Sequence, residues 1–234
     1  MIFRTFKLEN SLNFPLFKDF VQIIKYNKNT TIIKINNLNK KPLKTVIIST
    51  FTMTSYSYEL KIPQERVAVL IGKNGEVKKN IESDTKTQIK VDSLEGDIFV
   101  NGEDALGLYT AREIVRAVGR GFNPEIARLL LKQDYVFEFI GLNEFTGKSK
   151  NTLLRLKGRV IGKEGKSRRL IEELSESYIS VYGKSVSIIG TAESAAIAKR
   201  AVEALLSGST HASVYKWLER KRREMKRKDI IDMV

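Results

Sequence analysis

Cysteine is absent from this sequence of 234 residues, and histidine occurs once, as His211. Without cysteine the chain can form neither disulfides nor cysteine-ligated zinc sites, and thiolate catalysis is excluded. A single histidine disfavours a histidine-based metal site or acid–base pair. The sequence also lacks a run of about 18 apolar residues, the length of a membrane-spanning helix, and lacks the apolar core of a signal peptide. We therefore expect a cytoplasmic protein without cofactor, metal or membrane insertion.

Negative charge is the scarcer sign in this chain. The 41 lysines and arginines outnumber the 27 aspartates and glutamates, so the net charge is +14 and the pI is near 9.8. An excess of this size favours a polyanionic partner, with nucleic acid first and an anionic membrane surface second. The carboxylates are scattered among basic neighbours, and no paired set suggests acid–base chemistry. We therefore predict a protein that is not an enzyme.

The first fifty residues contain neither glycine nor alanine. The first alanine is Ala68 and the first glycine is Gly72. The segment is rich in Asn, Lys, Ile and Phe, and "TTIIKI" and "TVIISTF" are strand-like, but no hydrophobic period runs through it. It can be interpreted as a small β-element, as a basic tail, or as the result of a start assigned upstream of Met53. For residues 1–52 we favour a basic extension, poorly ordered or outside the native protein, over a domain.

A twelve-residue stretch is written twice in the rest of the chain. "IGKNGEVKKNIE" occupies residues 71–82 and "IGKEGKSRRLIE" occupies residues 161–172, with six of twelve positions identical. The offset between the two copies is 90 residues at these loops and 88 at the strands that follow. A nearly constant offset across whole elements indicates a duplicated domain.

Each copy predicts a strand, a helix, the glycine loop, a second helix, two paired strands and a closing helix. We place the first domain at residues 53–121, the second with its connecting segment at 122–208, and a basic C-terminal helix at 209–234. In the first closing helix the residues predicted to face the core are Ala105, Leu108, Ala111, Val115 and Val118. In the second they are Ala198, Ala201, Val202 and Leu205.

The glycine loops predict contact with a sugar–phosphate backbone. A Gly-x-x-Gly turn lets a ligand approach the backbone closely, and the following helix offers free N–H groups and a positive dipole end. Nearby cations add positive charge, and neighbouring apolar residues are predicted to form the floor of a groove that binds bases. In the first domain the candidate RNA-binding residues are Val69, Ile71, Gly72, Lys73, Asn74, Gly75, Lys78, Lys79, Ile89 and Lys90. In the second they are Val160, Ile161, Gly162, Lys163, Glu164, Gly165, Lys166, Arg168, Arg169 and Ile179.

This order of elements around "VAVLIGKNG" and "RVIGKEG" resembles the type I K-homology (KH) domain. KH domains clamp about four single-stranded nucleotides with the Gly-x-x-Gly loop. The resemblance implies an α+β fold with two tandem type I KH domains. Each would be a three-stranded antiparallel sheet with helices packed on one face, and a basic C-terminal helix would follow.

Three further stretches, "GFNPEIARLLL", "TGKSKNTLLRLKGRVIGKEGKSRRLIEELSESYISVYG" and "HASVYKWLERKRREMK", resemble a family of paired-KH ribosome-biogenesis factors known as Dim-two or partner of Nob-one. This resemblance implies a non-catalytic, monomeric protein that binds single-stranded RNA near the 3′ end of small-subunit rRNA and positions it for processing. It also implies a processing endonuclease and a subunit of a translation initiation factor as partners. The alternative is a scaffold that docks those proteins and has only non-specific affinity for RNA.

The C-terminal stretch "KWLERKRREMKRK" carries eight lysines or arginines between Lys216 and Lys228. As a helix it would pack through Val214, Trp217, Leu218 and Met225. Such a helix can be a solvated charged surface, and it can also contact phosphates. The sequence does not decide between these interpretations.

Overall fold

The computed structural model of the chain describes residues 21–27, 30–35, 56–146 and 149–232. Residues 1–54 and 55–234 form separate compact units. Within the first unit, strands β1 (Val21–Asn27) and β2 (Thr30–Ile35) pair as an antiparallel hairpin. The strand predicted at "TTIIKI" is present as β2. The predicted strand at "TVIISTF" lies outside the described residues.

The first domain of the second unit is built around an antiparallel sheet of three strands. Its elements are β3 (Tyr56–Lys61), α1 (Gln64–Ile71), α2 (Glu76–Thr85), β4 (Thr87–Val91), β5 (Asp97–Gly102) and α3 (Ala105–Gly119). The strand order is β3-β5-β4, and Val100 on the central strand lies opposite both Tyr58 and Ile89. Helix α3 begins where the Asp104 carboxylate accepts hydrogen bonds from the first-turn N–H groups.

The buried face of α3 agrees with the predicted stripe except at its first residue. Leu108, Ala111, Val115 and Val118 are buried, but Ala105 is exposed, so that part of the prediction is wrong. The first turn of the helix lies at the edge of the domain, where Leu106 is exposed as well.

The second domain repeats this arrangement after a connector, which consists of α4 (Pro124–Ala127) and a 3₁₀ turn. Its elements are β6 (Tyr135–Gly141), α5 (Asn143–Thr146), α6 (Lys150–Ile161), α7 (Lys166–Ser175), β7 (Tyr178–Tyr182), β8 (Ser185–Thr191) and α8 (Ala192–Leu206). The strand order is β6-β8-β7, again antiparallel. The extra helix α5 has no counterpart among the described elements of the first domain.

One repeated hydrogen bond explains the Ile-Glu pair in the duplicated stretch. Ile81 and Ile171 are fully buried core residues. The neighbouring carboxylates accept a hydrogen bond from the backbone N–H of the next strand, Ile89 to Glu82 at 2.7 Å and Ile179 to Glu172 at 2.8 Å. Because β4 and β7 are edge strands, this bond satisfies an N–H group that lacks a strand partner.

The two domains meet along a polar seam beside β7. The hydroxyl of Ser180 donates to the carbonyl oxygen of Arg120 at 2.9 Å, and the Arg120 guanidinium donates to the hydroxyl of Ser185 at 3.2 Å. The same guanidinium lies 4.6 Å from the centre of the Phe139 ring. Gly121, with φ of 95°, packs so tightly here that a Cβ would lie 2.8 Å from the Ser180 hydroxyl oxygen. The end of α3 is therefore fitted closely against the second domain.

The chain continues into a long C-terminal helix, α9 (His211–Asp232). Val214 and Leu218 are buried in the core of the second domain, and Trp217 is half-buried with the Arg200 guanidinium 5.5 Å from its ring centre. None of the helices within the described residues combines the length and hydropathy that crossing a membrane requires.

Candidate nucleic-acid interface

The first glycine of each loop is required by the backbone and by packing. Gly72 and Gly162 share φ of 73° with ψ of 179° and 177°, a combination adopted essentially only by glycine. A Cβ on Gly162 would lie 2.6 Å from the Cβ of Ser167, and one on Gly72 would lie 2.4 Å from Cγ2 of Val77. Each loop is therefore turned sharply against the first turn of its following helix.

The second glycine of each loop stands at the N-cap of the helix that follows the loop. Gly75 and Gly165 have φ of 76° and stand at the N-cap positions of α2 and α7, where they provide no side-chain cap. The first N–H groups of a helix have no partner within the helix. Here those of Glu76 and Lys166 donate to the loop carbonyl oxygens of Lys73 and Lys163, and the positive end of each helix dipole still favours an anion. Asn74 and Glu164 in the middle of the loops also have positive φ, of 54° and 55°.

Four of the predicted cations are free to meet a phosphate. Lys73, Lys79, Lys163 and Lys166 are exposed and form no ion pair with any residue that the structure describes. Two stand within the loops and two on the first turn of the following helix. They place positive charge beside the N-termini of α2 and α7. There the lysine charge and the positive end of the helix dipole both favour an anion.

Three other predicted cations near the loops are already engaged. Lys78 lies 3.8 Å from the Glu82 carboxylate, and Arg168 lies 3.7 Å from that of Glu172, both at i, i+4 spacing. Arg169 donates to the carbonyl oxygen of Glu164 at 2.6 Å and so supports the second loop from behind. These side chains shape the site, while the free lysines supply its uncompensated charge.

The predicted apolar floor is only partly accessible. Val69, Ile71 and Ile161 are half-buried, and Lys90 is exposed. Val160, Ile89 and Ile179 are at most 3% exposed and belong to the cores. Their side chains fill the space between helices and sheet, so they cannot contact a base in this conformation.

Sequence reasoning missed an exposed stripe that leads into the second loop. Leu154 is 66% exposed, and Gly158 has no atom within 4 Å of the position a Cβ would take. Together with Ile161 they follow the i, i+4, i+7 spacing of one helix face. The glycine inside the helix is the signal in the sequence, because glycine destabilises a helix interior relative to alanine.

A cavity of about 310 Å³ joins the two domains beside β7. The Nε of Arg168 is buried there without a hydrogen-bond partner among the described residues. Burial raises the pKa of the Glu172 carboxyl, against the lowering effects of the Ile179 N–H, Arg168 and Arg169. The residues that line the cavity are Gly121, Phe122, Asn123, Ile126, Arg168, Glu172, Tyr178, Ile179 and Ser180.

Glu172→Gln is expected to change how stability depends on pH. A carboxyl whose pKa is raised by folding stabilises the folded state below its unfolded pKa, and this contribution is lost as pH rises through the folded pKa. Wild-type protein should therefore gain stability relative to the variant as pH falls from neutral into the mildly acidic range. Urea denaturation across that range measures the difference.

Glu82→Gln is the matched control, because it replaces the same acceptor of a strand N–H in the first domain. A difference between wild type and Glu172→Gln that stays constant with pH would show that burial does not perturb this carboxyl.

Comparisons with known proteins agree with the two-domain fold. A KH-domain family model matches residues 57–117, and one described as a eukaryotic type KH-domain (KH-domain type I) matches residues 136–223. The chain is 52% identical over 172 residues to a KH domain-containing protein of Methanocaldococcus jannaschii, a match covering 72% of this chain and 75% of that protein. It is 31% identical over 114 residues to the pre-rRNA-processing protein pno1 of Aspergillus fumigatus, covering 48% and 45%.

Solved structures extend the similarity to three dimensions. Dim2p from Pyrococcus horikoshii has 46% identity and a TM-score of 0.66, covering 70% of this chain and 99% of that one. The crystal structure of the a/eIF2alpha–aDim2p–rRNA complex from the same organism matches with 44% identity and a TM-score of 0.68, covering 73% of this chain and 96% of that one. Among the described residues, no cluster of side chains could hold a metal ion.

Proposed function

This chain belongs to the Dim2/PNO1 family of paired KH-domain proteins, and from that premise we propose that it is an RNA-binding protein of ribosomal RNA processing. Its relatives include a protein named for pre-rRNA processing and one crystallised with rRNA. Both matching family models describe KH domains, and KH domains bind single-stranded RNA.

The observation that carries the proposal is the loop built twice with the same geometry. In both copies a glycine at φ of 73° precedes an uncapped helix N-terminus, and an exposed lysine stands beside it. Backbone N–H groups and lysines bind phosphate irrespective of base, whereas base contacts give selectivity. When one loop has bound an RNA strand, the strand is held at a high effective concentration near the other loop. Two weak contacts can therefore give useful affinity.

We further propose that the bound RNA is a single strand near the 3′ end of small-subunit rRNA, held for processing. The support is the crystallised complex of the relative with rRNA, together with the family resemblance of the sequence. That complex also contains a/eIF2alpha, which supports an initiation-factor subunit as a partner of this chain. The proposal that a processing endonuclease is a partner rests on the family resemblance alone.

A docking role for the first domain is the second candidate. Tyr56, Tyr58 and Tyr109 are 40% to 52% exposed, and the Arg112 guanidinium lies 5.0 Å from the centre of the Tyr58 ring. Exposed aromatic and arginine side chains are enriched in protein interfaces. In this alternative the protein is a scaffold, and its affinity for RNA is electrostatic and non-selective.

Sequence selectivity separates the two candidates. Fluorescence anisotropy at 150 mM salt would compare an oligonucleotide copying the 3′ end of the host's small-subunit rRNA with a scrambled one. We expect a preference of tenfold or more, about 1.4 kcal/mol. Equal binding that collapses as salt rises would favour the scaffold, because purely electrostatic binding falls steeply with salt and ignores base identity.

A further inference from the structure

Helix α9 starts beside the second loop. Nε2 of His211 lies 2.9 Å from the carbonyl oxygen of Arg159, three residues before Gly162. The Arg159 side chain donates from Nε to the carbonyl oxygen of Leu205 at 3.0 Å and from Nη2 to that of Ser209 at 2.6 Å. These bonds fix the first turn of α9 against the end of α6 from which the loop leaves.

The packing of α9 determines its direction and its exposed side. Val214 and Leu218 are buried, and further along Arg222 lies 3.7 Å from the Glu173 carboxylate near the end of α7. Helix α9 therefore follows α7 away from the loop. With 3.6 residues per turn, the positions directly opposite the buried face form a single line along the solvent side.

That line carries only positive charge. Its members are exposed, follow i, i+4, i+7, i+11 spacing over about 16 Å, and form no ion pair with any described residue. The two carboxylates nearby, Glu219 and Glu224, lie to either side of it, and Glu224 pairs with Lys221 at 2.6 Å. We call this line the cationic stripe, and it consists of Lys216, Arg220, Arg223 and Arg227.

Exposed positive charge near the second loop does not extend along the whole of α7, and the cationic stripe adds such charge on α9. The exposed positions of α7 change sign: Lys166 and Arg169 are followed by Glu173 and, at the C-cap, by Glu176. Arg222 of α9 offsets one of these carboxylates by pairing with Glu173. Beyond the first turn of α7, uncompensated positive charge is therefore found on α9.

We infer that the cationic stripe binds phosphates of the RNA strand outside the roughly four nucleotides held by the second loop. This inference rests on the proposed function and adds a second contact to it. All exposed residues from 216 to 227 are charged, so the stripe offers charge without an apolar anchor. Phosphate contacts need only charge, whereas a docked protein draws most of its binding energy from buried aromatic or apolar anchors.

Replacing all four stripe residues with glutamine tests the inference, because glutamine keeps a helix propensity close to that of lysine and arginine. Binding would be measured for a four-nucleotide RNA and for a twelve-nucleotide RNA that contains it, across a range of salt concentrations. We expect the variant to bind the longer RNA at least tenfold more weakly at low salt. The slope of log affinity against log salt should fall by about 3, since four phosphates contribute about 0.7 each for single strands. Binding of the four-nucleotide RNA should not change.

The matched control keeps the charge and changes the side chains: Lys216→Arg, Arg220→Lys, Arg223→Lys and Arg227→Lys together. It should bind both RNAs as wild type does. If the glutamine variant binds the longer RNA with unchanged affinity and salt slope, the stripe is a solvated surface or a contact for an acidic protein, and the inference is wrong. It is also wrong if the variant loses the four-nucleotide RNA, because the effect then acts through the loop. A wild-type protein that binds neither RNA would overturn the proposed function itself.

Discussion

The double variant Lys163→Asp, Glu164→Asp is expected to bind single-stranded RNA at least tenfold more weakly than wild-type protein, a loss of about 1.4 kcal/mol or more. Lys163 is exposed in the second loop, beside the uncapped N-terminus of α7. Replacing its positive charge with a carboxylate opposes a phosphate at the point of closest backbone approach. Aspartate tolerates the left-handed conformation that position 164 adopts at φ of 55°, so the loop should keep its shape.

The equivalent variant of the first loop, Lys73→Asp, Asn74→Asp, measures the share of the first domain. Fluorescence anisotropy with one oligonucleotide should detect a loss for either variant and a larger loss for the combination, because each loop raises the local concentration of the strand at the other. Lys86→Asp is the control: it changes the net charge by the same amount as the second-loop variant, at an exposed position on the far end of α2. Unchanged RNA affinity in both double variants would contradict the proposal that the two glycine loops bind the RNA backbone.

Gly162→Ala is expected to destabilise the folded protein by about 2 kcal/mol or more, because alanine is strained at this backbone conformation. The added Cβ would lie 2.6 Å from the Cβ of Ser167 and 2.8 Å from its backbone nitrogen. The overlap with Ser167 is relieved only if the loop moves away from α7. This movement would also displace the loop from the N-terminus of α7, where the phosphate is proposed to bind. Urea denaturation should show the lower stability, and binding of a four-nucleotide RNA should weaken in the same variant.

Gly158→Ala is the matched control for this substitution. It lies one turn earlier in α6, and nothing lies within 4 Å of the new Cβ. Because glycine inside a helix is less favourable than alanine by roughly 1 kcal/mol, this variant should be as stable as wild type or more stable. If the two alanine variants are equally stable, the strained loop geometry described here is incorrect.

The helices and strands were largely predictable because local pattern determines them. The stretch "EVKKNIESDT" corresponds to α2, and "TQIKVDS" and "DIFVNG" contain β4 and β5. In each case apolar residues recur with the period of the element, and glycine or a polar cap marks its end. The duplication made the second domain easier to delimit than a single copy.

The role of individual apolar residues was less predictable. Ile89 and Ile179 alternate with polar neighbours, and we placed them in a base-binding groove. Alternation in a strand indicates which residues share a face, but the apolar face of a sheet packs against helices first. The core therefore takes these side chains, whereas Leu154, on the helix that leads into the second loop, is exposed.

Interactions between distant segments could not be read from the sequence. The bond between Ser180 and Arg120 joins residues 60 positions apart, and the bond between Arg159 and Ser209, just before α9, joins residues 50 positions apart. No local period encodes them. The ion pairs of Lys78 and Arg168 are different, because i, i+4 spacing alone predicts them, and this spacing reduces the number of cations that are free for phosphate.

We propose that this protein binds small-subunit rRNA near its 3′ end through its glycine loops. Ultraviolet cross-linking in the host, followed by sequencing of the attached RNA, tests it most directly. We predict cross-links concentrated near the 3′ end of small-subunit rRNA and strongly reduced when both loops carry the aspartate substitutions. Cross-links spread over cellular RNA in proportion to its abundance, and unaffected by those substitutions, would contradict the account.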